Sequence, residues 1–122
     1  MEKAYRIKKN TEIEEILKGK NSVGNKYYVI YIKKNHETNH FRLGMSVSKK
    51  IGNAVVRNRE KRRIKHVFLS LKDSLLPYDI FVIERANSLN LEFSEITKEI
   101  KYLLKKKNVI KKIGEENEKI LK

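Results

Sequence analysis

The sequence predicts an α+β chain of three helices and three strands in one domain, residues 1–122. Two kinds of periodicity and one exception predict it. Apolar residues recur at helical spacing in three places: Ile13, Ile16 and Leu17; Ile64, Val67, Phe68 and Leu71; and Phe93, Ile96, Ile100, Leu103 and Leu104. Residues 26–33 and 42–48 alternate, as half-buried strands do. The exception is Ile80-Phe81-Val82-Ile83, apolar without alternation, which reads as a central strand covered on both faces.

In chain order, residues 1–10 are basic and become extended near 5–8. Thr11 opens the first helix, with Glu14 at capping-box spacing, and Gly19 closes it. Gly24 and Asn25 mark a turn. In the strand that follows, Tyr28, Ile30 and Ile32 form the core face, and Tyr27, Val29, Tyr31 and Lys33 the open one. Residues 34–40 read as a hairpin loop. The next strand sets Leu43, Met45 and Val47 against Arg42, Gly44, Ser46 and Ser48, a small polar face that a ligand backbone could approach. A long helix starts at or near Asn53 and runs to about Leu71. Its apolar stripe fades before Ile64, so its first two turns extend past the core and Ala54, Val55 and Val56 pack only in part. Pro77 stops any helix before the strand at 79–84. The last helix covers 92–107. Residues 108–122 read as a frayed helix around Ile110, Ile113 and Ile120, or as a tail.

Charge is distributed very unevenly. Residues 49–65 hold eight basic side chains and one acid, Glu60, so they carry half of the chain's net charge of +14. Solvated helix faces usually mix signs. Here acids are nearly absent from one helix and plentiful elsewhere, which points to a polyanion, and the arginine-rich composition to phosphate. Asn58, Arg62 and Lys65 share one face, with Arg59, Arg63 and His66 beside it. Gly52-Asn53, at the helix entrance beside Lys49 and Lys50, is open to two readings: a phosphate site or a plain turn and N-cap. Tyr27 and Tyr31 could likewise stack unpaired bases or pack under a helix.

Other chemistries find little support. The chain has no cysteine, which excludes disulfides and thiolate metal sites and agrees with a reducing, cytoplasmic setting. No apolar run reaches about 18 residues, so no membrane partner is expected, and the start Met-Glu-Lys-Ala-Tyr-Arg does not read as a signal peptide. His36, His40 and His66 have no carboxylate or cysteine cluster beside them, so no metal site is expected. His66 as a general base stands alone. The chain reads as a binder with no catalytic residues of its own.

The run Ser48-Lys49-Lys50-Ile51-Gly52-Asn53-Ala54-Val55-Val56-Arg57-Asn58-Arg59-Glu60-Lys61-Arg62-Arg63, within a match over residues 42–65, resembles the signature of the bacterial ribonuclease P protein component. Weaker likeness includes Ile7-Lys8-Lys9-Asn10 and Tyr78-Asp79-Ile80. The resemblance implies an α-β-β-β-α-β-α sandwich, ribosomal-protein-like, with a left-handed crossover. It thus implies a fourth strand, from residues 5–8 or from a different division of the first hairpin. It also implies a partner RNA that cleaves precursor tRNA with Mg²⁺ of its own, the protein binding no cofactor and needing no obligate protein partner. Lys49, Lys50, Asn53, Arg57, Asn58, Arg59, Lys61, Arg62, Arg63 and Lys65 occupy the RNA-binding signature. Tyr31 matches an aromatic of a cleft that holds the 5′ leader of the precursor. Ile13 and Leu17 stand at cleft positions where the family often has Phe, so apolar contact is the expectation there.

Overall fold

The structure, a computed structural model, describes residues 2–111. Its order is α1 (Asn10–Lys18), β1 (Ser22–Gly24), β2 (Tyr28–Lys34), β3 (Arg42–Ser46), α2 (Ala54–Ser70), β4 (Tyr78–Glu84) and α3 (Phe93–Lys106). The fourth strand is β1, too short for alternation to announce it. It pairs antiparallel with β2, Val23 opposite Ile30. Asn25 makes the turn between them, its Oδ1 accepting the Tyr27 and Tyr28 amides at 2.8 and 2.9 Å. Of residues 5–8, only Arg6 joins the sheet, as an isolated bridge to Leu43.

The strand order is β1-β2-β4-β3. Residues 34–40 are therefore not the loop of a hairpin: β4 lies between β2 and β3, antiparallel to the first and parallel to the second. Its composition explains the place. Ile80 and Val82 point to one face of the sheet and Phe81 and Ile83 to the other, so a central position buries most of its apolar surface. Chain reversal after β2 instead uses Asn35, whose Oδ1 accepts the Glu37 and Thr38 amides at 2.9 and 3.2 Å.

One face carries the main core. Tyr28, Ile30, Ile32, Leu43, Ile80 and Val82 meet Ile64, Val67 and Phe68 of α2 and Ile96, Ile100, Leu103 and Leu104 of α3. Each such side chain, fully buried, contributes roughly 1.5–3 kcal/mol. Val109 and Ile110 join this core, and Ile110 bridges Leu75, so the chain stays packed past Asn108. Asn108 itself takes a positive φ of 58°, which breaks the helix and turns the chain back. Ile113 and Ile120 lie outside the described residues.

Among the described residues α1 and the segment around Ile7 cover the other face, with a small cluster of Ile7, Ile16 and Phe81. This helix starts at Asn10, with Lys9 as N-cap and no side-chain cap, so the Thr11–Glu14 capping box does not form. A tertiary contact overrides the local signal: Glu12, in the first turn, is held by Arg42. At the other end Gly19 stays right-handed, and Lys20 takes the left-handed turn at φ 54°. A capping box does form at α3, between Glu92 and Glu95.

Gly44 is small for a different reason from the one its strand pattern suggests. A Cβ there would lie 2.8 Å from Phe81 Cδ1 and 3.4 Å from Ile7 Cβ. The space is taken by this chain's own side chains, leaving no room for a ligand backbone. Gly44→Ala should displace the Phe81 ring and cost roughly 1–2 kcal/mol by overpacking. Thermal melting checks this; an unshifted midpoint would mean the ring moves freely.

Candidate nucleic-acid interface

Helix α2 begins at Asn53, whose side-chain oxygen accepts the Val56 amide at 3.0 Å. A Cβ at Gly52 would lie 2.7 Å from Val56 Cγ1, so the glycine lets the entry turn close on the helix. Both residues have a local task here, which favours the reading as a turn and N-cap. The stripe of Ile64, Val67 and Phe68 is buried, while Val55 is 77% exposed, so the first turns do extend beyond the core.

The cations of α2 fall on two flanks. Arg59, Arg62, Arg63 and His66 follow i, i+3, i+4, i+7 spacing and face α3, where they surround a depression closed by Phe93. Lys61 and Lys65 face the other way, onto a second depression with Arg6, Ile7, Lys8, Leu43, Gly44 and Met45. Arg62 thus belongs with Arg59 and Arg63 and not with Lys65. Lys49, Lys50, Asn53 and Asn58 are exposed near the helix entrance and first turns; Arg57 is half-buried.

Among the described residues one carboxylate meets this array. Glu60 is buried under the helix, and its Oε2 lies 3.3 Å from Arg59 Nε and 3.3 Å from Arg63 Nη1. Among the described residues Arg57, Arg62, Lys49, Lys50, Lys61 and Lys65 form no ion pair, so the positive surface stays open. Arg63 is fixed further by donating from Nη2 to the Leu91 carbonyl at 2.6 Å. Beneath α2, Glu84 of β4 is also buried, and neither of its oxygens has a hydrogen-bond partner. Burial, and then the nearby Glu60 carboxylate, pushes Glu84 up to about 7.

On the sheet face that α1 covers, Ile13 and Leu17 come together with Tyr31, all half-buried, around Ile7, Ile16, Phe81 and Ile83. They form a half-buried apolar patch between α1 and the sheet. Tyr27 is not part of it. It precedes β2, packs against the main core and lies under Lys26, 5.1 Å from the ring centroid. On the same side of the sheet Arg42 ties α1 to it, bonding Asp79 through Nε at 2.9 Å and Nη2 at 2.8 Å, and also Glu12 of α1. These hydrogen bonds, Asp79's first, hold Arg42 still further above its ordinary value.

The sequence reading missed Arg6, Lys8 and Phe93 as parts of this surface. Arg6 and Lys8 come from a segment with no periodicity, and Phe93 fits the apolar stripe of α3. Among the described residues no three His, Asp or Glu side chains gather as metal ligands would. No described helix is long and apolar enough to cross a membrane.

Comparison with known proteins identifies the family of the chain. A family model described as Ribonuclease P matches residues 1–108. The ribonuclease P protein component of Macrococcus caseolyticus is 50% identical over 105 residues, 86% of this chain and 91% of that one. The Staphylococcus epidermidis protein component is 46% identical over 112 residues, 92% of this chain and 97% of that one. The structure of the Staphylococcus aureus RNase P protein superposes with a TM-score of 0.82 at 44% identity, covering 88% of this chain and 99% of that one. The Thermotoga maritima RNase P protein gives a TM-score of 0.76 at 29% identity, over 83% and 96%. The chain therefore belongs to the bacterial ribonuclease P protein family, the protein subunits of a ribonucleoprotein endoribonuclease that processes the 5′ end of tRNA.

Proposed function

We propose that α2 grips the RNA subunit while the cleft of Ile13, Leu17 and Tyr31 receives the 5′ leader of precursor tRNA. The observation that carries this reading is the open cationic surface of α2, which meets the apolar patch of Ile13, Leu17 and Tyr31 by way of Ile7. Basic groups reduce the repulsion between two polyanions as catalytic RNA and substrate meet. The cleft adds contacts that the precursor has and the product lacks, so substrate gains affinity over mature tRNA. Lys49, Lys50, Asn53, Arg57, Asn58, Arg59, Lys61, Arg62, Arg63 and Lys65 supply the polar surface. Cutting is left to the RNA and its Mg²⁺, in the cytoplasm and with no second protein required.

The test is leader cleavage by the cognate RNA subunit at low Mg²⁺, with and without this protein. Stimulation is expected, together with tighter binding of precursor than of mature tRNA. Cleavage by the protein alone, or no stimulation, would overturn the reading. Arg59→Ala and Arg62→Ala should each reduce the slope of log affinity against log salt by roughly 0.7–0.9 for every phosphate no longer neutralised. Unchanged slopes in both would remove these side chains from the interface.

A further inference from the structure

We propose that the depression between α2 and α3 seats one unpaired ribonucleotide, its base on Phe93 and its phosphate on Arg59 and Arg62. The inference rests on the reading of α2 as an RNA-gripping helix. Phe93 itself leads to it. It stands three residues ahead of Ile96 on the apolar spacing of α3, yet it is 44% exposed while Ile96, Ile100, Leu103 and Leu104 are buried. Its ring meets His66 edge-on, with centroids 6.4 Å apart and planes at 83°. An exposed aromatic thus shares one depression with three arginines.

The chemistry of the lining selects the occupant. Arg59, Arg62, Arg63, His66 and Phe93 line an open depression of about 450 Å³, with no carboxylate among them. That volume falls in the range of roughly 300–1,000 Å³ typical of small-ligand sites. Three cations repel a metal ion, and an acidic peptide would leave the ring without a partner. A nucleotide uses both: guanidinium forks take the phosphate, and a phenyl face takes the base. Arg63 is pinned by Glu60 and the Leu91 carbonyl, so it forms a fixed wall. Arg62 has no acid partner among the described residues, and Arg59 meets Glu60 only through Nε, so its terminal amino groups stay available. The depression lies on the flank of α2 beside α3, and α3 and α1 pack on opposite faces of the sheet. That placement favours a nucleotide of the RNA subunit over one from the leader.

The chain has no tryptophan, so Phe93→Trp installs a single reporter in the depression. Its emission should be quenched when the RNA subunit binds, because the indole then stacks on a base. Phe93→Ala and Phe93→Leu should both weaken RNA binding roughly tenfold, and Phe93→Trp should retain it. The leucine variant keeps apolar bulk, so its weaker binding separates stacking from packing, and melting curves confirm that each variant folds. Parallel titrations with the RNA subunit and with leader-bearing against mature tRNA identify the source. Weaker binding in either arm supports a nucleotide seat, and the arm affected names the RNA that fills it. Unquenched tryptophan, with both phenylalanine variants binding like wild type in every arm, would overturn the seat. In that case wild-type stimulation of leader cleavage would be untouched, whereas failure of the wild-type protein would instead sink the underlying reading.

Discussion

Arg42→Ala is expected to destabilise the protein by about 3 kcal/mol, the lower end of the cost of breaking a buried ion pair. Arg42 is the junction of three elements. From β3 it holds Asp79 on β4 with two hydrogen bonds, and Glu12 on α1. Asp79 is 7% exposed, and without Arg42 its one remaining side-chain donor is Asn35 Nδ2, at 2.9 Å. A buried carboxylate left that way loses most of what offset its desolvation. Glu12 is more exposed and loses less, which places the effect at the lower end. For a domain of this size the melting temperature should fall roughly 10–20 °C. Lysine at 42 should restore only part, having no planar fork to match Asp79. Arg42→Met combined with Asp79→Asn should recover much of the stability, because both charges go together. Under the proposed function the consequence should be selective: Glu12 immediately precedes Ile13, so releasing it should lower the preference for precursor over mature tRNA and leave binding of the RNA subunit unchanged. A shift of only a degree or two, or additive effects in the double variant, would show that the three elements are not coupled through this side chain.

That junction illustrates what could be read in the sequence and what could not. Local patterns spoke clearly. Ile80 to Ile83 lack alternation, and β4 is the central strand; Ile64, Val67 and Phe68 share a helical stripe, and all three are buried. The cationic helix was legible as composition, and Glu60, the lone acid in that run, proves to be the buried counter-ion of Arg59 and Arg63. Pairings distant in sequence were silent. Nothing in residues 28–46 says that β4 will come between β2 and β3, because an antiparallel hairpin satisfies the same alternation. Arg42 finds its acids 30 and 37 positions away, so its strand pattern shows only a polar residue. The division of α2 into an arginine flank and a lysine flank depends on its neighbours, α3 on one side and residues 6–8 on the other. Helical spacing alone put Phe93 with the core. Its exposure follows from its place at the first position of α3, where the contact with α2 has already opened.

Glu84→Gln should make the protein more stable at pH 8 and change little near pH 4.5. Glu84 sits opposite Tyr28 in the sheet, buried, with Glu60 nearby and the Tyr28 hydroxyl also lacking a hydrogen-bond partner. Burial and the Glu60 charge keep its proton on up to about pH 7, whereas an unfolded chain releases it near its ordinary value of 4.5. Between those values the folded state binds more protons than the unfolded one, so stability falls as pH rises through this window. It is fully present below about 4.5 and lost above about 7. The penalty at alkaline pH is on the order of 3 kcal/mol, from the rise between 4.5 and about 7 at 1.36 kcal/mol per pKa unit. Glutamine has the shape of the protonated acid and does not titrate, and its amide can donate to the unpaired Glu60 Oε1. Denaturant melts of both proteins from pH 4.5 to 8.5 isolate the effect, because every other titrating group is common to the two. The difference curve should rise between pH 4.5 and 7 and then level off. A flat difference would mean that Glu84 ionises in the fold as easily as in water.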